Sequence, residues 1–254
     1  MPGTTPLARA LASPAVAMTG RARRALGPFE AYRTALVNRL WARVRRWGAF
    51  DWRHRLADRF GAMGEGSWVA FPPGDCYNLH TVVIGRDCFL NSGVTLAIGM
   101  PTETYAPDHP PVVEIGDRTT VGKDCWFVAR QSIVLEDDVT IAPNVYFTDH
   151  NHTYADRWLP VGQQVLQVEP VRVGAGTWIG TGVVVLPGTT IGRNCAVAAG
   201  AVVRGEIPDH SVVAGVPGRV VRRWVDGEGW VPPMAREVVV IEGWPVGVPP
   251  EGEQ

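Results

Sequence analysis

Large apolar residues recur at every sixth position through most of the chain, and this period decides the predicted fold. Strands alternate with a period of two residues and helices with a period of about 3.6, so a period of six fits neither alone. It is typical of a solenoid in which each hexapeptide forms one short strand and one corner, and three hexapeptides close a triangular coil. The series consists of Ile84, Leu90, Leu96, Ile115, Val121, Phe127, Leu135, Ile141, Phe147, Val173, Ile179, Val185, Ile191, Val197 and Val203.

A second series stands four positions after the first, and its members are small or β-branched. We expect each large residue to point inward at the middle of a strand and each small residue to fill the space near a corner. Residues directly after the large ones, such as Gly85 and Gly116, are expected to supply the unusual backbone dihedrals of the corners. The second series consists of Cys88, Val94, Thr119, Cys125, Val139, Val145, Thr177, Val183, Thr189, Cys195 and Ala201.

Three irregularities interrupt this period. Segments 97–113 and 148–171 break the count and must loop out of the coil. The step from Phe127 to Leu135 is eight residues instead of six, so one corner carries two additional residues. The sequence therefore predicts two long loops and one enlarged corner on an otherwise regular solenoid.

The first 65 residues follow a different pattern. Apolar residues three and four positions apart predict an amphipathic helix that begins near Pro28 and ends near Gly48, and a second short helix is expected over 51–60. Residues 1–60 hold twelve arginines and three acidic residues, whereas the whole chain has a net charge of −1. This asymmetry predicts three parts: a basic helical segment 1–65, a repeat domain 66–225 and an irregular Pro/Gly/Glu-rich tail 226–254.

Composition and cysteine positions exclude several classes of protein. With 46% hydrophobic and 19% charged residues, the 254-residue chain is not disordered throughout. Cys88, Cys125 and Cys195 occupy the small inward position, and no pair has CxxC spacing, so we interpret them as compact apolar fillers. No segment reaches the roughly 20 apolar residues of a membrane span, and the interrupted apolar run at 7–18 does not predict a secretory signal. We therefore expect a cytoplasmic protein.

Two segments carry a resemblance to a known family: VGAGTWIGTGVVVLPGTTIGRNCAVAAGAVV and EIPDHSVVAGVPGRVVRRW. With the repeats, they resemble the hexapeptide-repeat acyltransferases, most of all the maltose, galactoside and nodulation-factor O-acetyltransferase branch, over residues 66–225. The resemblance implies a mainly β fold, a left-handed parallel β-helix with an N-terminal α-helical element and an irregular C-terminal tail. It also implies a homotrimer with active sites between subunits. Acetyl-CoA or another acyl-CoA would acylate a hydroxyl of a sugar, glycoside or polysaccharide precursor, with no metal required.

The resemblance further implies a histidine general base in the segment APNVYFTDHNHTYAD. A neutral imidazole can accept a proton from an attacking hydroxyl at pH 7. The family places this base nine residues after the proline, which is His152 when counted from Pro143, and His150 stays the alternative. Asp149 or Asp156 is a candidate for orienting the base.

Family positions also suggest residues that contact the two substrates. In IGRDCFLN, Asn91 matches an asparagine that contacts the sugar, with Phe89 beside it, but Gly99 replaces the family's partner aspartate. That replacement and the unusual loop MPTETYAPDHPPVV leave the acceptor open, with Glu103 among the candidate substitutes for the aspartate. The residues expected to contact coenzyme A, in which Arg204 would substitute for a missing lysine, are Trp178, Ala199, Gly200, Ala201, Arg204, Arg219 and Arg222.

Two alternative functions use the same solenoid. A non-catalytic scaffold would keep the repeats and lose the site. A γ-class carbonic anhydrase-like enzyme would need three histidines around a metal, and the six histidines have no such spacing. The basic N-terminal helix can either cover the open solenoid end or contact anionic lipid as a peripheral membrane element. Nucleic acid is not an expected partner, because the acidic body would repel it.

Overall fold

A computed structural model describes residues 28–233. One α-helix, Pro28–Gly48, has the bounds that the sequence predicted, and Arg45 and Arg46 in its last turn favour the negative end of the helix dipole. The chain divides into two compact units between Val44 and Arg45, and every described strand lies in the second unit. No helix among residues 28–233 is long and apolar enough to cross a membrane.

Three parallel sheets form the faces of a β-helix, which we call the first, second and third faces in the order that each complete coil visits them from Trp68 onward. The first face contains Phe50–Asp51, Trp68–Val69, Phe89–Leu90, Thr120–Val121, Thr140–Ile141, Trp178–Ile179, Ala196–Val197, Ser211–Ala214, Arg219–Val225 and Gly229–Val231. The second contains Cys76–Tyr77, Thr95–Ile98, Trp126–Ala129, Tyr146–Thr148, Val184–Val185 and Val202–Val203. The third contains Ala62–Met63, Val82–Ile84, Val113–Ile115, Ile133–Leu135, Val171–Val173, Thr190–Ile191 and Glu206–Ile207.

A few elements lie outside this parallel arrangement. The first face ends in antiparallel strands, Phe50–Asp51 at one side and both Arg219–Val225 and Gly229–Val231 at the other. A separate antiparallel hairpin joins His150–His152 to Leu166–Val168. Short 3-10 helices span Ala57–Arg59, Leu79–Thr81 and Val161–Gln163.

The core confirms the six-residue period. Every member of the large series is at most 2% exposed, and every member of the small series is equally buried. Members from successive coils pair directly, so they form columns: Leu90, Val121 and Ile141 follow one another on the first face. On the second face, the rings of Phe127 and Phe147 stack with centroids 4.9 Å apart. One apolar core therefore runs along the solenoid axis.

Left-handed backbone occurs at a different corner position from the one that the sequence suggested. The residue just before each small inward residue has a positive φ, as at Asp124 before Cys125 and Asn144 before Val145. Glycines directly after the large residues have another role. A Cβ on Gly122 would lie 2.5 Å from the backbone carbon of Ala142 in the next coil, so glycine there permits close stacking of coils.

The segment between the helix and the repeats also differs from the prediction. The expected helix over 51–60 is wrong, because Phe50–Asp51 is a strand that pairs with Trp68–Val69 and only Ala57–Arg59 forms a 3-10 turn. Parallel pairing already begins at Ala62–Met63. The predicted domain limits at 65 and 225 stay predictions.

Candidate active site

All three interruptions of the repeat leave the solenoid at one edge. They comprise 99–112, 130–132 and 149–170, and each connects a strand of the second face to a strand of the third. We call this boundary the loop edge. Because coils stack in register, irregularities far apart in sequence come together there. The candidate histidines lie on the longest of the three loops.

Asp149 connects this long loop to the enlarged corner. Its side chain is 0% exposed, and its carboxylate accepts hydrogen bonds from the backbone N–H groups of Arg130, Gln131 and Ser132 at 2.7 to 3.0 Å. The Nδ1 atom of His150 lies 2.9 Å from Asp149 Oδ1. Burial works to raise the pKa of Asp149, but the hydrogen bonds from His150 and the backbone outweigh it and hold this pKa below its usual value. The Asp149 carboxylate is therefore an anion that positions His150.

The side chain of Arg130 connects the loop 99–112 to the same network. Its Nη1 atom donates to both carboxylate oxygens of Glu103, at 3.1 and 3.0 Å. Tyr105 Oη donates to the carbonyl of Arg130 at 3.2 Å. The backbone N–H of Met100 and the side chain of Arg130 lower the pKa of Glu103. Glu103, a candidate acceptor contact, is thus occupied within the chain.

His152 has a different environment from His150. Its side chain is exposed, and it lines a cleft of about 610 Å³ together with Glu169, Pro187 and Arg204. Arg204 reaches toward Glu169, with Nη2 and Oε1 3.8 Å apart. The cleft therefore places a candidate base beside a candidate cofactor contact.

Asp156 does not contact either histidine among the described hydrogen bonds. Its Oδ1 atom accepts from the backbone N–H groups of Trp158 and Leu159, at 2.8 and 3.3 Å. The amide of Gln164 closes the same turn by donating to the Asp156 carbonyl at 2.8 Å. Of the two candidate orienting carboxylates, only Asp149 contacts an imidazole, and that imidazole belongs to His150.

Trp178 and Arg222 lie in one row across the outer side of the first face. Trp178 pairs with Ala196, Ala196 with Val212, and Val212 with Arg222. Directly paired residues point to the same side of a sheet, so Trp178 and Arg222 share a side and are separated by three strand spacings, about 14 Å. The Trp178 side chain is 48% exposed.

A bulge brings Arg219 to that same side. Arg219 pairs with Ala214, and Arg222 pairs with Val212. Arg219 and Arg222 are three positions apart in their strand, whereas Ala214 and Val212 are two positions apart in theirs. The additional residue, Val221, restores the alternation that an odd spacing would break. Arg219 Nη1 donates to its neighbour Gly218, Arg222 Nη2 donates to Pro233, and Arg222 Nε is buried without a hydrogen-bond partner in the described part of the chain.

The remaining predicted residues lie at other corners, except Phe89, which lies in a strand of the first face. Ala199 and Gly200 are exposed at the corner between the first and second faces, where Gly200 has a φ of +71°, and Ala201 is buried. Phe89 stacks on Trp68 with ring centroids 4.3 Å apart. Asn91 Oδ1 accepts from the N–H of Ser92 at 2.8 Å, which stabilises a corner turn.

One copy of the chain does not collect all of these residues. His152 and Arg204 share the cleft at the loop edge, whereas Trp178, Arg219 and Arg222 lie on the outer side of the first face. Sequence reasoning missed the roles of Arg130 and its neighbours. The signal was the enlarged corner, whose additional residues supply the N–H groups that bind Asp149.

Comparisons with known proteins agree with this architecture. Residues 170–205 match the family described as bacterial transferase hexapeptide (six repeats), and residues 112–149 match the hexapeptide repeat of succinyl-transferase. Among solved structures, the N-acyltransferase AntD of Bacillus cereus superimposes with a TM-score of 0.57 at 16% identity. That superposition covers 69% of this chain and 90% of AntD, and it supports the fold.

Relatives in sequence carry transferase names. Acetyltransferase Rv3034c of Mycobacterium tuberculosis is 41% identical over 45% of this chain, but the match spans only 38% of that protein. Galactoside O-acetyltransferase of Escherichia coli K12 is 30% identical over 66% of each chain. WbbJ of the same organism, which is named for O-acetyl transfer in lipopolysaccharide biosynthesis, is 34% identical over 61% of this chain and 78% of its own length. The chain therefore belongs to the hexapeptide-repeat acyltransferase family, whose members form a left-handed parallel β-helix.

Proposed function

We propose that this protein transfers an acyl group, acetyl by default, from coenzyme A to a hydroxyl of a sugar or glycan. The carrying observation is the cleft at the loop edge, where His152 lies with Arg204. Two relatives match more than half of this chain. One is named for O-acetylation of galactosides, and the other for O-acetyl transfer in lipopolysaccharide biosynthesis. The acceptor is therefore expected to present a carbohydrate hydroxyl.

In this proposal, His152 is the general base. An exposed imidazole in an open cleft can accept a proton from a bound hydroxyl while that oxygen attacks the thioester carbonyl. The thioester carbon–sulfur bond then breaks, the acyl group passes to the acceptor, and the proton held by His152 neutralises the departing thiolate. Holding both substrates together supplies much of the remaining rate.

His150 is the alternative base, favoured by its contact with Asp149. A buried carboxylate at Nδ1 leaves Nε2 as the proton acceptor and stabilises the imidazolium that forms. If His152 is the base, His150 instead anchors the start of the hairpin that carries it. The two assignments predict different variants to lose activity.

Coenzyme A is expected along the outer side of the first face. Trp178 offers an exposed ring, and Arg219 and Arg222 are permanent cations suited to phosphate groups. The Nε of Arg222, which has no hydrogen-bond partner among residues 28–233, is a donor that fits an anionic group nearby. Because His152 lies at another edge of the same copy, we propose a homotrimer in which neighbouring copies complete each site.

A coenzyme A-release assay with sugar and glycoside acceptors tests the proposal. We expect His152→Ala to lower turnover by about 10² to 10⁴, the range for loss of general-base help. His210→Asn is the matched control, since His210 lies at the corner between the third and first faces, not at the loop edge, and its φ of +53° is one that asparagine tolerates. Full activity of His152→Ala beside an inactive His150→Ala would assign the base to His150. Failure of coenzyme A to raise the melting temperature would favour a scaffold.

We also propose a cytoplasmic location with peripheral contact between the N-terminal helix and an anionic membrane. The helix carries exposed apolar side chains, including Leu36, Leu40 and Trp41. Arginines and an apolar side on one helix are typical of elements that lie in the lipid interface. Such contact would bring the enzyme to a lipid-linked acceptor.

A further inference from the structure

An apolar cavity of about 270 Å³ lies where the segment after the helix covers the first coils. It is separate from the proposed active site, because its lining comes from residues 47–96 and the cleft at the loop edge comes from residues 151–204. The lining consists of Trp47, Gly48, Ala49, Phe50, His54, Leu56, Arg59, Phe60, Val69, Phe71, Pro73, Cys76, Leu79, Leu90, Val94 and Leu96.

Most of the wall of this cavity is apolar, and its polar part includes the side chains of His54 and Arg59. Aromatic rings form one side, with the centroid of Phe50 6.3 Å from that of Phe60 and 6.1 Å from that of His54. Core residues of the first coils, among them Leu90 and Val94, form the other. Such a surface excludes water and favours an apolar occupant.

The volume suits a short alkyl chain. An apolar cavity of about 150 Å³ in another protein stays dry and takes up benzene. Scaling by volume gives room for about ten non-hydrogen atoms, which is the size of octanoate.

One cationic side chain in the lining, Arg59, would bind the anionic group of a ligand and so fix its orientation in the cavity. Arg59 belongs to the lining, and no carboxylate of residues 28–233 pairs with it. His54 Nδ1 is already occupied, because it accepts the N–H of Leu56 at 3.1 Å. An unpaired guanidinium beside an apolar space is suited to a ligand with a hydrocarbon tail and an anionic head.

We propose that this cavity binds a medium-chain alkyl carboxylate, with the chain among the apolar residues and the carboxylate at Arg59. The two linings share no residue, so binding at this site does not depend on the proposed acyl transfer. A negative result here would leave the transferase proposal unchanged.

Cys76 provides a reporter inside the cavity wall. It is partly accessible, whereas the other three cysteines are buried. Burial raises the pKa of the Cys76 thiol, against smaller lowering by the backbone N–H of Leu96 and the charge of Arg59, so its modification by N-ethylmaleimide is best followed above neutral pH. At an octanoate concentration about ten times its Kd, we expect modification to slow about tenfold, because only about one molecule in eleven stays empty. Cys76→Ser identifies the signal.

Matched variants separate the two parts of the proposal. Arg59→Gln should weaken octanoate protection, whereas Arg55→Gln, an exposed arginine outside the lining, should not. Leu56→Trp should fill the space and abolish protection, and Leu56 is 40% exposed, so the larger ring can be accommodated. Equal protection by 1-octanol, or undiminished protection in Arg59→Gln, would overturn the carboxylate assignment. No protection of the wild-type protein, with no rise in its melting temperature, would overturn the site.

Discussion

At the scale of residues, Asp149 shows how a buried charge is made tolerable. An isolated buried carboxylate would bind a proton, because burial disfavours the anion. Three backbone N–H groups of the enlarged corner and the imidazole of His150 supply enough donors to keep it ionised. The same bonds fix the direction in which the chain leaves the solenoid.

Asp149→Asn tests this interpretation. The pKa of Asp149 is depressed in the folded state, so its contribution to stability is present above its unfolded pKa and is lost as pH falls through the folded value. We expect the variant to lose about 2 kcal/mol of unfolding free energy at pH 7. The difference from wild type should shrink below about pH 4. Urea unfolding across this pH range measures both effects.

Asp156→Asn is the matched control for that measurement. Its carboxylate also accepts two backbone N–H bonds, but it is exposed, so water replaces them readily. A loss in Asp156→Asn as large as that in Asp149→Asn would contradict the special role of burial.

At the scale of elements, the sequence predicted the features that depend on neighbouring residues and missed those that depend on pairing between distant segments. The strand period and the helix Pro28–Gly48 follow from neighbouring residues, and both are present. The segment 51–60 also had helical spacing, but Phe50–Asp51 pairs with Trp68–Val69, a contact that no local pattern encodes. The network from Glu103 through Arg130 to Asp149 was unpredicted for the same reason, because stacking of coils brings these residues together.

The N-terminal helix gives the element-scale prediction. Leu36 and Leu40 are adjacent on its apolar side and are 42% and 48% exposed. Changing both to glutamine should weaken binding to vesicles containing anionic lipid by about 3 kcal/mol, or about a hundredfold, through loss of buried apolar area. Sedimentation with vesicles of phosphatidylcholine and phosphatidylglycerol measures it, and binding should fall in high salt.

The control for the helix is Asn38→Gln, on its opposite side. Asn38 Nδ2 donates to the carbonyl of Thr34. Helical geometry places both Asn38 and Thr34 on the side of the helix away from Leu36 and Leu40. Equal sedimentation of the wild-type protein and the double leucine variant would contradict the lipid contact. A smaller oligomer in the leucine variant would instead assign this side of the helix to a second copy.

At the scale of the whole molecule, the distribution of candidate residues favours a shared site. His152 lies on a loop that leaves between the second and third faces, whereas Trp178 lies on the outer side of the first face. A rigid β-helix cannot bend to bring the two together, because its coils stack around one continuous core. Two copies packed side by side can place the loop edge of one against the first face of the other.

Mixing two inactive variants tests this arrangement directly. His152→Ala and Trp178→Ala each remove one part, so a homotrimer of either variant has no complete site. When both chains are produced together and assemble at random, about one site in four combines an intact histidine from one copy with an intact tryptophan from its neighbour. We therefore expect coenzyme A release to recover to about a quarter of the wild-type rate, whereas mixing the two after separate assembly should restore nothing. If both residues act within one copy, every site contains one of the two substitutions and no activity returns. Absence of recovery in verified mixed trimers would therefore contradict the shared site.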